Sequence, residues 1–319
     1  MTVGMVAPVT RRVRAYFAPV NRAAGVPTVF DAAQMGMFAL DAPVAPWVDL
    51  GWCTKFVRKS GVGAKSGVAA VRTGAPAVAQ SQVWSEVEAT VAVEFASWGK
   101  LSMALTAGSQ QMNLLYTAAG AGLNGSGGLA AAAVGLAAGS TALALNVGAT
   151  AAAGFSVGDL VAVDVDYVGQ VGYVGSGASA GYVRQASDVA SDVNYVRRVT
   201  LNVGQVVGIV AGVLELAAPL LAGVPTAGMQ VSRVVGFVDR EGGLFFQEWS
   251  GLFCMEGEQG ERIFYYYPRL QAMQGAEEVT EALLAPLERV KLAGSFRALP
   301  VVDANDGARV VCFRSYLPG

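Results

Sequence analysis

The sequence predicts an α+β protein built mainly from antiparallel strands, a β-sandwich or barrel with short helices, interrupted by an all-β insert. Three observations carry this. Residues 82–95 alternate: Val83, Val87, Val91, Val93 and Phe95 share one parity with Ser85 and Ala89, while Trp84, Glu86, Glu88, Thr90, Ala92 and Glu94 take the other. Such a run exceeds the usual strand of about 5–6 residues and implies one buried face and one wet, acidic face. The middle of the chain is rich in Gly, Ala, Ser and Val, and its Val-rich stretches are separated by turns. Charge is uneven: residues 1–120 hold ten Lys/Arg and six Asp/Glu, 121–230 three and six, and 231–319 nine and twelve. The predicted divisions are 1–125 as the first half of the larger domain with an N-terminal arm, 126–238 as the small inserted β-barrel-like domain, and 239–319 as the second half.

The elements follow in order. The Arg-rich start (Arg11, Arg12, Arg14) reads as an arm. A turn-rich stretch around Pro43 and Pro46 runs into the basic loop of Lys55, Arg58, Lys59 and Lys65, either solvated surface or an arm that meets acidic surface on a neighbouring copy. After the long strand, Phe95, Trp98, Leu101 and Leu105 recur at helical spacing, and Gly108 offers a stop. The insert reads as strands over 142–147, 160–167, 195–210, 213–217 and 229–237. Asp164 and Asp166 alternate onto one strand face, too few carboxylates for an oxygen-ligand metal loop. Tyr167, Tyr173, Tyr182 and Tyr195 mark a Gly/Ser loop that is adhesive or simply long. A hairpin turns at 256–260. Next, 276–287 reads as a short helix with acids in its first turn and a stripe of Leu283, Leu284 and Leu287. The last strands are joined by the turn at 303–307.

Chemistry is narrowed by composition. The chain has no histidine, which removes Ser-His-Asp and Cys-His sites, His-ligated metals and imidazole acid–base work. No phosphate loop, dinucleotide fingerprint or zinc spacing occurs, and the close carboxylate pairs do not form an acid and nucleophile pair. The expectation is no enzyme, no catalytic or metal residues and no cofactor. A net charge of −2 with 14% charged residues speaks against a general nucleic-acid binder. Cys53, Cys254 and Cys312 are sparse and odd in number, which predicts buried thiols rather than a disulfide framework. The first residues lack a signal-peptide pattern, and a reducing intracellular origin fits. The mean hydropathy of +0.44 is inflated by Ala in the uncharged run between Lys100 and Asp159. Its strongly apolar residues are too few for a span, and 206–224 carries Glu215 and Pro219.

Three segments carry a family likeness: Asp49-Leu50-Gly51-Trp52 followed by Lys55-Phe56; the strand into Val93-Glu94-Phe95 with Trp98, Lys100 and Leu101; and Arg262-Ile263-Phe264-Tyr265-Tyr266-Tyr267-Pro268-Arg269. Together they resemble the tail tube proteins of tailed bacteriophages and phage-derived injection machines. The insert, with Gly154-Phe155-Ser156-Val157-Gly158-Asp159-Leu160-Val161, resembles small β-barrel modules of phage structural proteins. The resemblance implies a tail-tube-like fold in a virion protein made in the host cytoplasm. Its hexameric rings would stack into a hollow tube through which DNA passes without specific binding, with sheath, tape-measure and baseplate proteins as partners. It also implies Glu86, Glu88 and Glu94 as lumen-lining candidates and Arg11, Arg12, Arg14, Lys55, Arg58, Lys59 and Lys65 as contacts between copies. Another virion component, or a surface β-protein or adhesin, is the alternative.

Overall fold

The computed structural model describes residues 10–20, 25–32, 39–44, 46–62, 68–73, 78–84, 87–108, 110–117, 130–164, 179–181, 202–240, 248–273, 277–284 and 287–318. The first stretch of chain forms β1 (Thr10–Pro19), β2 (Val48–Val62), β3 (Val68–Thr73), β4 (Val78–Trp84), β5 (Val87–Phe95) and helix α1 (Lys100–Ala107). The middle forms β6 (Gln110–Leu115), β7 (Ala133–Gly135), β8 (Ala144–Asn146), the one-turn helix α2 (Ala149–Ala152), β9 (Leu160–Val163), β10 (Ser179–Gly181), β11 (Val203–Val210), β12 (Val213–Leu216) and β13 (Gln230–Arg240). The last stretch forms β14 (Glu248–Gly257), β15 (Arg262–Ala272), β16 (Glu277–Leu284), β17 (Leu287–Ala298), β18 (Val301–Val302), β19 (Arg309–Val310) and β20 (Phe313–Leu317). Two compact units result, one of 1–20, 27–107 and 247–319, the other of 21–26 and 108–246.

In the first unit six strands close on themselves in the order β17, β5, β2, β1, β14, β15 and back to β17, every pairing antiparallel. Closure removes edges from these six. The interior is aromatic. Phe17 meets Phe253 edge-on at 5.8 Å and Phe296 at 5.5 Å, and Phe56 lies 4.9 Å from Phe253. From β5, Ala89, Val91, Val93 and Phe95 point inward, all at most 2% exposed. The even positions 88–94 are half-buried on the outer face, as the period of two requires.

The barrel's outer face is treated differently on its two sides. Over β1, β14 and β15 a second core forms from Tyr16, Ala18, Leu252, Cys254, Phe264 and Tyr266, covered by Phe30, Leu40, Trp47 and Leu317. The Tyr16 hydroxyl donates to the Leu40 carbonyl at 3.0 Å and the Tyr266 hydroxyl to that of Thr28 at 2.8 Å, fixing the covering segment. Strands buried on both faces lose alternation and read as continuous apolar runs. That is why Ala15-Tyr16-Phe17-Ala18 is buried throughout. The segment expected to be a basic arm is therefore, from Thr10 onward, a strand paired with β14 and, from Val13 to Phe17, also with β2. Residues 1–9 and the side chain of Arg11 lie outside what is described.

Two other expectations change. Residues 277–284 are strand β16, antiparallel to β17, not a helix. The long strand expected over 82–95 is β4 and β5, with Ser85 and Glu86 outside the described residues. The helix after it is α1, ended by Gly108 at φ +61°. Its buried Leu105 and Thr106 pack toward β17.

The second unit is a row ordered β10, β6, β13, β9, β11, β12, β8, with β7 also on β13. Just past β7, the Leu136 amide donates to the Met229 carbonyl and the Ala137 amide to that of Asn146, so this segment ties β13 to β8 and the row curls round its core. Leu145, Phe155, Val161, Val206, Leu214 and Val231 fill that core. The one-turn α2 is an addition to a segment that reads as all-β. Asp164 takes φ +56° after β9; Asp166 and the four tyrosines of the Gly/Ser loop lie outside the described residues.

Candidate functional site

On the side away from the second core, the outer face of β2, β5 and β17 carries no covering layer among the described residues. Register defines it. Lys55, Val57, Lys59 and Gly61 stand opposite Glu94, Ala92, Thr90 and Glu88, and across the other edge Ala293, Ser295 and Arg297 oppose Glu94, Ala92 and Thr90. Directly opposed residues share a face. Small side chains at Thr90, Ala92 and Ser295 leave a shallow hollow of about 350 Å³, bounded also by Lys55, Val57, Lys59 and Met273. Lys55, Lys59 and Arg297 are exposed on it.

The electrostatics differ from the acidic strip that β5 alone suggests. Glu94 accepts a hydrogen bond from Thr54 and pairs with Lys291 at 3.1 Å. Within the hollow and its rim, Lys55, Lys59 and Arg297 outnumber Glu88. The face is mixed at the Glu94 end and basic beyond it, because each carboxylate's neighbours come from other strands. Glu86 and Lys65 lie outside the described residues.

The other proposed contact residues separate. Arg14 shares the outer face of β1 with Tyr16 and is engaged within its own chain. Its Nε donates to Asp49 Oδ1 at 3.0 Å, its other nitrogens reach Asp49 and Asp41, and its guanidinium lies 5.0 Å from the Trp52 ring. Asp49 chiefly holds the guanidinium charged well above its ordinary range. Arg12, exposed, sits 5.3 Å from the same ring. Arg58 opposes Val91 and points into the barrel, where its Nε donates to the Tyr267 hydroxyl at 2.9 Å. Arg14 and Arg58 are thus internal clamps, and Lys55 and Lys59 are the outward cations. Alternation along β2 explains the split, since 55 and 59 share a parity that 58 does not.

Sequence reasoning missed Lys291, Met273, Ser295 and Arg297. Their signal was present in the alternation of Lys291, Ala293, Ser295 and Arg297 against Val290, Leu292, Gly294 and Phe296, but nothing local says that this strand lies beside β5. The thiols of Cys53 and Cys254 are pushed up to about 12 by burial. No group of three or more metal-capable side chains occurs among the described residues, and no described helix is long and apolar enough to cross a membrane. Chemically, the hollow offers ammonium groups, a guanidinium and short hydroxyls, a surface suited to binding through charge. No known family model matches the chain, and no curated protein is significantly similar to it in sequence.

Proposed function

We propose that the chain is a structural virion protein that self-assembles into stacked rings forming a hollow tail tube for DNA passage. The observation that carries the reading is that the strands outrun the closed barrel at both ends. β2 and β5 remain paired to Val62 and Val87, and the β3–β4 hairpin is spliced between those two residues. At the other end, β17 is paired with β16 back to Leu287, beyond its last partner on β5, Leu292 opposite Phe95. A barrel alone needs neither extension; a molecule that meets copies of itself above and below uses both. The described row of strands also ends in two edges, β16 and β20, and unpaired edges invite strands from other chains.

In such a tube the uncovered face of β2, β5 and β17 fits contact between copies better than a lumen. Glu94 is neutralised by Lys291, and an exposed row of Lys55, Lys59 and Arg297 would attract phosphates rather than let DNA slide. Sheath, tape-measure and baseplate proteins are the partners that this reading implies.

Negative-stain electron microscopy of the purified protein over a concentration series tests the reading. Rings or hollow tubes of uniform width are the expected result. Dispersed single particles at every concentration would overturn self-assembly as the function.

A further inference from the structure

The hollow is basic and the β16–β17 hairpin is acidic in sequence, and neither is covered among the described residues. Lys55, Lys59 and Arg297 are exposed around small side chains and, among the described residues, have no ion-pair partner. The hairpin carries Glu277, Glu278, Glu281 and Glu288 against Arg289 and Lys291, and Lys291 is already engaged by Glu94. Glu277 and Glu278 are exposed, Val279 is 46% exposed, and among the described residues β16 ends the row of strands with no partner on its outer edge.

From these features we infer that the hollow on β2, β5 and β17 is the docking site for the acidic β16–β17 hairpin of a second copy. The inference rests on the self-assembly reading and gives it a specific interface. The hairpin runs away from its own hollow. From Ala293, opposite Glu277, back to Leu287 is six residues, about 20 Å at the usual strand rise. Its outer part therefore reaches beyond its own barrel, while the hollow lies toward the other end of the same strands. Different surfaces meet, so the contact is head-to-tail and propagates from copy to copy instead of stopping at a dimer. Small residues in the hollow give the incoming strand room, and the cations at its rim fix register by charge.

Charge exchange tests this. Lys55→Glu with Lys59→Glu gives a chain whose hollow and hairpin are both acidic. Glu277→Lys with Glu278→Lys gives one in which both are basic. Each variant alone should assemble only at a critical concentration at least about tenfold above wild type. An equimolar mixture should assemble near the wild-type concentration, because each variant's hollow then meets the other's hairpin. Circular dichroism checks that both remain folded; if one does not, the Gln substitutions at the same positions replace it, with the loss in each variant alone as the readout.

Wild-type behaviour in both variants, or loss in each with no rescue on mixing, would overturn this interface while leaving self-assembly in place. Failure of wild type itself to assemble would overturn both. Retention of a labelled DNA duplex by unassembled wild type, lost in Lys55→Glu with Lys59→Glu, would overturn it in favour of a phosphate-bearing occupant.

Discussion

Arg14 is held by two carboxylates and an aromatic ring, and its side chain is only 12% exposed. Removing the guanidinium leaves Asp49, itself 21% exposed, with its partner gone in a partly dry place. Arg14→Met should therefore cost about 2 kcal/mol, toward the lower side of what breaking a buried pair costs, read from urea unfolding. Lys100 poses the reverse problem. Burial pulls its ammonium down to about 7, whereas the unfolded chain titrates near 10.4. Between those values the unfolded state holds a proton that the folded state does not, so this group makes the fold less stable as pH falls toward 7. Lys100→Met should stabilise the protein at pH 7.5, with the gain shrinking toward pH 10. The difference from wild type must be taken at each pH, because Cys53 and Cys254, pushed up to about 12, lose stability as pH rises above about 8.5. A pH-independent difference would show that the ammonium is not desolvated.

Elements meet tightly where α1 crosses β17. A Cβ on Gly294 would come 2.6 Å from Thr106 Cγ2 and 3.0 Å from its Cα, so the glycine sets how closely the helix lies. Gly294→Ala should destabilise by about 1–3 kcal/mol through overpacking, and Thr106→Ser, which removes Cγ2, should recover part of it in a double-mutant cycle. Thr106 cannot turn away cheaply, because its hydroxyl donates to the Ser102 and Met103 carbonyls. The element most misread from sequence is β16. Its Glu, Ala and Leu favour a helix locally, yet eight residues offer little helical stability alone, and pairing with β17 outweighs propensity. β5 was legible because alternation between core and solvent is a local property. β1 was not, because a strand buried on both faces shows no alternation and its flanking arginines resemble a basic tail.

For the whole molecule, the proposed assembly through opposed charges has a consequence in salt. Raising ionic strength from 0.1 to 0.5 M shortens the screening length below about 10 Å and should raise the critical concentration of the proposed assembly. Light scattering across a salt series checks this; assembly that strengthens with salt would point to an apolar interface instead. By itself the sequence determined the β-rich class, the strand at the heart of the barrel, the β-rich middle segment and the kinds of chemistry that a chain without histidine can perform. Each of these depends on residue type and short spacing. Only the tertiary structure decided that Arg14 and Arg58 are internal clamps, that residues 277–284 extend as a strand, and that an apparently acidic strand belongs to a face with a basic hollow. The physical reason is that a face's charge is the sum over neighbouring strands. Barrel closure chooses those neighbours, bringing β17 from the far end of the chain to lie beside β5.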